Sequence, residues 1–216
     1  FVSGATMGGA DVVDVGIVPT PAVSVLTRKL KADFGVMISA SHNPPEYNGI
    51  KIFDENGKKI SLEQEIQIEK SFAKQKIAKS NKFGKYLFKP KLIKLYKKFL
   101  IDSIGVRLDG IKVAIDCSNG ANYLIAGKVF KKLGAQVVKI NCSNKGEKIN
   151  CDCGALYPQK LASVVKKIKA DIGFAFDGDA DRIVVVDAGG NIVDGDQIIL
   201  FLTEMYQKFG LLKTGA

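Results

Sequence analysis

Asp177, Asp179 and Asp181 stand at alternate positions in the run ADIGFAFDGDADRIVVVDAGGNIVDGD, between two apolar stretches. Two such charges about 4 Å apart repel by roughly 4 kcal/mol at an effective dielectric near 20. A chain that gathers three of them either leaves them in water, as a polar hairpin tip, or supplies a cation. Hard oxygen donors of this kind suit magnesium or calcium. An EF-hand loop opening at Asp177 would need Gly at its sixth position and Glu at its twelfth. Those positions hold Arg182 and Ala188, so the EF-hand is excluded. Three carboxylates leave room for waters and a phosphate oxygen, which favours magnesium acting on a phosphoryl group.

The second chemical stretch is Ser39-Ala40-Ser41-His42-Asn43-Pro44-Pro45, which follows the apolar run Phe34 to Ile38. In open α/β sheets ligand groups collect beyond the carboxyl ends of strands, and both stretches have that position. A plain strand-to-turn connection, with Ser and Asn satisfying backbone groups, stays equally open on the residues alone. His42 is the only histidine, so a Ser-His pair for acyl transfer has to be weighed. On extended backbone neighbouring side chains point to opposite faces, which makes His42 a poor base for Ser41. The G-x-S-x-G elbow is missing as well, and a hydrolase is disfavoured.

Composition narrows the remaining classes. The 216 residues are 46% hydrophobic, enough for one large or two small globular domains. No apolar run approaches the roughly 20 residues of a membrane span, so no membrane partner is expected. The N-terminus has neither a signal-peptide pattern nor an initiator Met and reads as trimmed. Cys117, Cys142, Cys151 and Cys153 read as reduced thiols of a cytoplasmic protein. Their spacing lacks the paired C-x2-C of a zinc site. Net charge is +10, concentrated between Lys74 and Lys98, where ten lysines occur without an acidic residue. Apolar residues such as Ile77, Leu92, Ile93 and Phe99 interleave them, and arginine forks are scarce. That pattern predicts a solvated linker and an amphipathic helix, with no specific nucleic-acid partner.

The elements that must position the two loops follow from periodicity. Val12 to Val15 predicts a strand, with a helix capped by Thr20 over Ala22 to Leu30 and Val23, Leu26, Thr27 and Leu30 on one face. Phe34 to Ile38 predicts a strand buried on both faces. Lys51 falls on a strand from Ile50 to Phe53, and Ser61 with Gln64 predicts a capping box for a helix to about Ala73. Further on, strands are expected at 112–116, 137–140, 172–176 and 183–186. Helices are expected at about 123–133 and 158–169 and from Asp196 onward, and no capping element is read at Thr214–Ala216. The alternation implies α/β architecture: two consecutive three-layer α/β domains with mainly parallel mixed sheets.

The two loops together resemble the α-D-phosphohexomutase family. Ile38 through Pro44 with Asn48-Gly49-Ile50-Lys51 is similar to its phosphoserine loop, and Asp177 through Arg182 to its metal loop. Val18 through Pro21, Asp116 with Asn119-Gly120-Ala121, Ile149-Asn150 before Cys153 through Pro158, and Val193 through Asp196 also fit. Ile38 through Ser41 and Cys153 through Pro158 look most like bacterial phosphoglucosamine mutases; Pro45 through Asn48 looks more like the phosphomannomutase/phosphoglucomutase branch.

This resemblance implies a sugar phosphate substrate and a phosphoryl group moved between O6 and O1 of a hexose through a phosphoserine and a bisphosphate. Glucosamine 6-phosphate is the first choice of substrate and hexose 1,6-bisphosphate the activator. Ser41 maps to the phosphorylated serine. Asp177, Asp179 and Asp181 map to the ligands of one Mg2+, with Ser41 contributing an oxygen once phosphorylated. Arg182, Lys51 and His42 map to the transfer site. Residues 1–85 would be a truncated phosphoserine-loop domain and 86–216 the metal-loop domain. Domains 3 and 4, where sugar choice resides, would be absent, and a homodimer is an option for the full-length protein. The chain by itself is then expected to behave as an inactive metal-binding fragment. Mutase turnover by the 216 residues alone, measured with any hexose phosphate, would refute this.

Overall fold

Residue contacts sort the computed structural model into two units, Phe1–Ser39 with Asn48–Ser103, and Ala40–Tyr47 with Ile104–Ala216. Residues 1–74 and 80–212 are described. Ile77, Lys76 and Lys79 of the basic run, and the closing Thr214–Ala216, lie outside the described residues.

In the first unit, α1 (Val2–Met7), β1 (Val12–Asp14), α2 (Thr20–Leu30), β2 (Gly35–Ile38), β3 (Ile50–Phe53), α3 (Leu62–Ala73), β4 (Tyr86–Phe88) and α4 (Ile93–Ser103) follow in order. Helix α2 begins one residue before the expected point, with Pro19 as its cap, and buries Ala22, Val23, Val25, Leu26 and Thr27. Leu30, expected on that face, is exposed. The helix packs on β2 at Gly35, where a Cβ would collide with the Thr27 hydroxyl. The capping box of α3 forms as expected, Gln64 N–H donating to Ser61 Oγ and Ser61 N–H to Gln64 Oε1.

Two expectations fail here. Strand β2 is not buried on both faces: Phe34 is 62% and Ile38 47% exposed. Its pairing explains why, since β2 joins β3 in a two-stranded antiparallel sheet with α2 packed behind it. The supposed linker holds a strand, β4, parallel to β1 with Val12 opposite Tyr86. All three β4 residues are exposed and Lys85 and Lys89 flank them, which hid a β-prone Tyr-Leu-Phe segment.

The second unit is a five-stranded mixed sheet in the order β6 (Gln136–Ile140), β5 (Lys112–Asp116), β7 (Ile172–Phe176), β8 (Ile183–Asp187), β9 (Ile192–Val193). Strands β6, β5 and β7 run parallel; β8 and β9 are antiparallel additions, and β9 had not been expected. Alternate residues of β5 feed two cores. Val113 and Ile115 pack with Cys117, Ala126 and Ala135 on the face covered by α5 (Ala126–Lys132). Ala114 packs with Leu161, Val165, Ala175 and Val186 on the face covered by α6 (Gln159–Ile168). Three layers result, with β5 dry on both sides. A last helix, α7 (Gly195–Lys208), opens on a capping box between Asp194 and Gln197. No helix among the described residues is long and apolar enough to cross a membrane.

Leu161 is fully buried at the centre of the α6 core. Leu161→Ala should lower stability by about 2–5 kcal/mol, read as a shift in the urea midpoint of unfolding with unchanged slope.

Candidate functional site

The carboxyl ends of the three parallel strands β6, β5 and β7 lie side by side, so the loops that leave them share one rim. Asp116, the last residue of β5, is fully buried and organises it. Its carboxylate accepts from the Ser118 and Gly154 backbone N–H groups at 2.9 and 3.0 Å and from Asn141 Nδ2 at 2.8 Å. Both oxygens of this buried carboxylate thus have protein donors, as burial demands. Ser118 then donates its hydroxyl to the carbonyl of Phe176 at 2.6 Å, tying this loop to the end of β7 one residue before Asp177. Ala121 N–H donates to Gly178 O at 2.8 Å, and a Cβ on Gly120 would collide with that same carbonyl. These bonds keep residues 117–125 out of α5, which starts three residues later than periodicity suggests.

Between β7 and β8 the chain turns through Asp177–Arg182. Asp177 and Asp179 are each 1% exposed, Asp181 lies at the surface, and one oxygen from each falls within 4.8 Å of the others. Asp177 Oδ1 accepts the Arg182 backbone N–H at 3.1 Å. Burial pushes the Asp177 carboxyl above the ordinary 3.8; Asp179 and Asp181 push the same way, against the hydrogen bonds from Ser41 and Arg182. Negative charge here is therefore costly without a cation, and the donor set of carboxylate oxygens fits a hard divalent ion. Among the described residues this is the only His, Cys, Asp or Glu group with metal-holding geometry, and the cysteines are free thiols.

The serine loop, residues 40–47, belongs to this unit. Ser41 donates its hydroxyl to Asp177 Oδ2 at 2.8 Å and lies 3.5 Å from Asp181 Oδ1. The expectation of extended backbone at Ser41 and His42 is not met, because Ser41 is left-handed at φ 57°. Asn43 N–H donates to Ala40 O at 3.1 Å, closing a tight turn. His42 is half-buried, and its Nδ1 is buried with no hydrogen bond among the described residues. Arg182 is half exposed, with Nε 4.0 Å from Asp181 Oδ1. Of the residues singled out from sequence, Ser41, His42, Asp177, Asp179, Asp181 and Arg182 all fall in this unit. Lys51 lies on β3 of the first unit, opposite Met37.

Two residues without an assigned role emerge. Asn150 is 8% exposed and donates Nδ2 to both Ser41 O and Asn43 O, each at 2.9 Å. Gly178 passes so close that a Cβ would stand 2.6 Å from Ser41 O and 2.8 Å from Asn150 Nδ2. Asn150 had stood out only as part of a matching motif; nothing in its spacing shows that it reaches a loop 107 to 109 residues away.

The arrangement can hold a divalent cation beside a hydroxyl, the equipment for phosphoryl transfer. The domain I model of the phosphoglucomutase/phosphomannomutase family, an alpha/beta/alpha domain, matches residues 1–79, and the domain II model matches residues 92–190. A phosphoglucosamine mutase of Clostridium acetobutylicum is 52% identical over 203 residues, covering 92% of this chain and 45% of that protein. Another, from Clostridium perfringens, is 46% identical over 217 residues, covering 99% and 48%. The crystal structure of a phosphoglucomutase/phosphomannomutase family protein from Burkholderia thailandensis superposes with a TM-score of 0.81 at 31% identity, covering 96% of this chain and 47% of that one. The chain spans about half the length of the curated relatives it matches.

Gly178→Ala should cost about 1–3 kcal/mol, because two packed groups have to yield to the new methyl. Gly195→Ala, where a Cβ meets nothing within 4 Å, should stay within about 0.5 kcal/mol of the parent. Denaturant titration of the pair checks the contrast.

Proposed function

The chain belongs to the phosphoglucomutase/phosphomannomutase family, and from that membership we propose that it is part of a phosphohexomutase working through a phosphoserine. The two matched spans are read as a phosphoserine-loop domain over residues 1–85 and a metal-loop domain over residues 86–216. The reaction moves a phosphoryl group between O6 and O1 of a hexose phosphate by way of a hexose 1,6-bisphosphate, which also serves as activator. Glucosamine 6-phosphate is the substrate favoured by 52% identity to a phosphoglucosamine mutase. The setting is cytoplasmic.

One observation carries this reading: the Ser41 hydroxyl lies 2.8 Å from a carboxylate of a three-Asp cluster that suits a hard cation. Ser41 is the phosphoryl carrier. Its Oγ–P bond breaks as a sugar hydroxyl forms the new P–O bond. The sugar proton passes to a nearby base, and the serine oxygen regains a proton. Asp177, Asp179 and Asp181 would hold a Mg2+ ion, which would supply positive charge to balance the transferring phosphoryl group. Arg182 adds a guanidinium suited to phosphate oxygens. His42 and Lys51 are the proton-handling candidates, and the bare Nδ1 of His42 supports the first of them.

Full-length protein incubated with glucosamine 1,6-bisphosphate and Mg2+ should gain one phosphate by intact mass, localised to Ser41. Ser41→Ala should gain none and lose essentially all turnover of glucosamine 6-phosphate. Phosphate on another residue, or undiminished turnover by the variant, would sink the reading. Comparing glucosamine, mannose and glucose 6-phosphates decides the sugar.

A further inference from the structure

We propose that Asn150 is a positioning residue that holds the Ser41 backbone in place through the phosphoryl-transfer cycle, an inference that rests on the mutase reading. An Asn side chain has two N–H donors on one nitrogen. Both are spent on the same loop, one on the carbonyl of Ser41 and one on that of Asn43. Two carbonyl acceptors leave no choice about which end of the amide faces them. The loop needs such a hold. Ser41 is left-handed, a conformation unfavourable for a residue with a Cβ, and residues 43–47 are exposed.

The clamp has a rigid foot. Asn150 is itself left-handed at φ 58°, and its backbone N–H donates to Ser118 O at 3.0 Å. Ser118 is in turn fixed by the buried Asp116 and by the Phe176 carbonyl, the last residue before the carboxylate turn. One side chain therefore refers the serine loop and the Asp177–Arg182 turn to the same frame. Gly178 closes the other side, with no space left for even a methyl.

The functional point lies in which atoms are held. The Ser41 Oγ bond to Asp177 needs a hydroxyl proton, and phosphorylation removes it. The Asn150 bonds go to main-chain carbonyls and persist whether or not the serine carries phosphate. Asn150 is the contact that does not change when the chemistry does.

The test uses the full-length protein with Asn150→Ala, which deletes the clamp, and Asn150→Asp, which keeps its size but turns an oxygen towards two carbonyls. Misplacement of a reacting group by about 1 Å can cost a hundredfold, so kcat should fall about ten- to a hundredfold, further for Asp than for Ala. KM for glucosamine 6-phosphate and Mg2+ affinity by calorimetry should stay within about twofold, and hydrogen exchange should quicken over residues 40–47. Wild-type kcat in both variants overturns the clamp and leaves the mutase reading standing. So does a loss of kcat that merely tracks lost Mg2+ binding and a lower melting temperature. A wild-type protein with neither phosphoserine nor turnover overturns both.

Discussion

Three carboxylates crowded at the end of β7, two of them out of water, set the terms for everything around them. Each is costly beside the others, and burial makes Asp177 a weaker acid than usual. Below the ordinary 3.8 the Asp177 carboxyl carries no such penalty; as pH rises through its raised value, the folded chain loses stability because burial disfavours the Asp177 charge. A fold that keeps such a feature at neutral pH has to hold the turn rigidly. The grip comes from the neighbouring strand: Asp116, Ser118 and the carbonyls of Phe176 and Gly178 form a dry lattice of hydrogen bonds beneath it. Gly120 lets its backbone meet that of Gly178, and Gly154 leaves room for the Ser118 side chain and the Phe176 carbonyl.

The chemistry of this rim was unusually legible in the residues. Asp177, Asp179 and Asp181 announce themselves by crowding, and Ser41 by its place after an apolar run. The second unit was also readable, since β5, α6 and β7 have clean periods and fully dry faces. Legibility failed where elements are exposed or edge-like. Strand β4 hides among lysines, β9 is two residues long, and β2 looks like a buried strand yet has one partner and an open face. The start of α5 was misjudged because the bonds that delay it come from Gly178, more than fifty residues away in sequence. Asn150 could not be read at all as a contact. A clamp on main-chain carbonyls leaves no signature in the residues it holds.

Residues 40–47 lie between two stretches of the first unit in sequence, yet their contacts place them in the second. A genetic crossover between two relatives anywhere from residue 48 to residue 103 would therefore unite the serine loop of one parent with the carboxylate turn and the Asn150 foot of the other. The order of the two units along the chain and the grouping of the site residues do not coincide. On the clamp proposed above, a shuffled chain keeps the hold on its serine loop only where an amide at 150 and a glycine at 178 meet the Ser41 and Asn43 carbonyls.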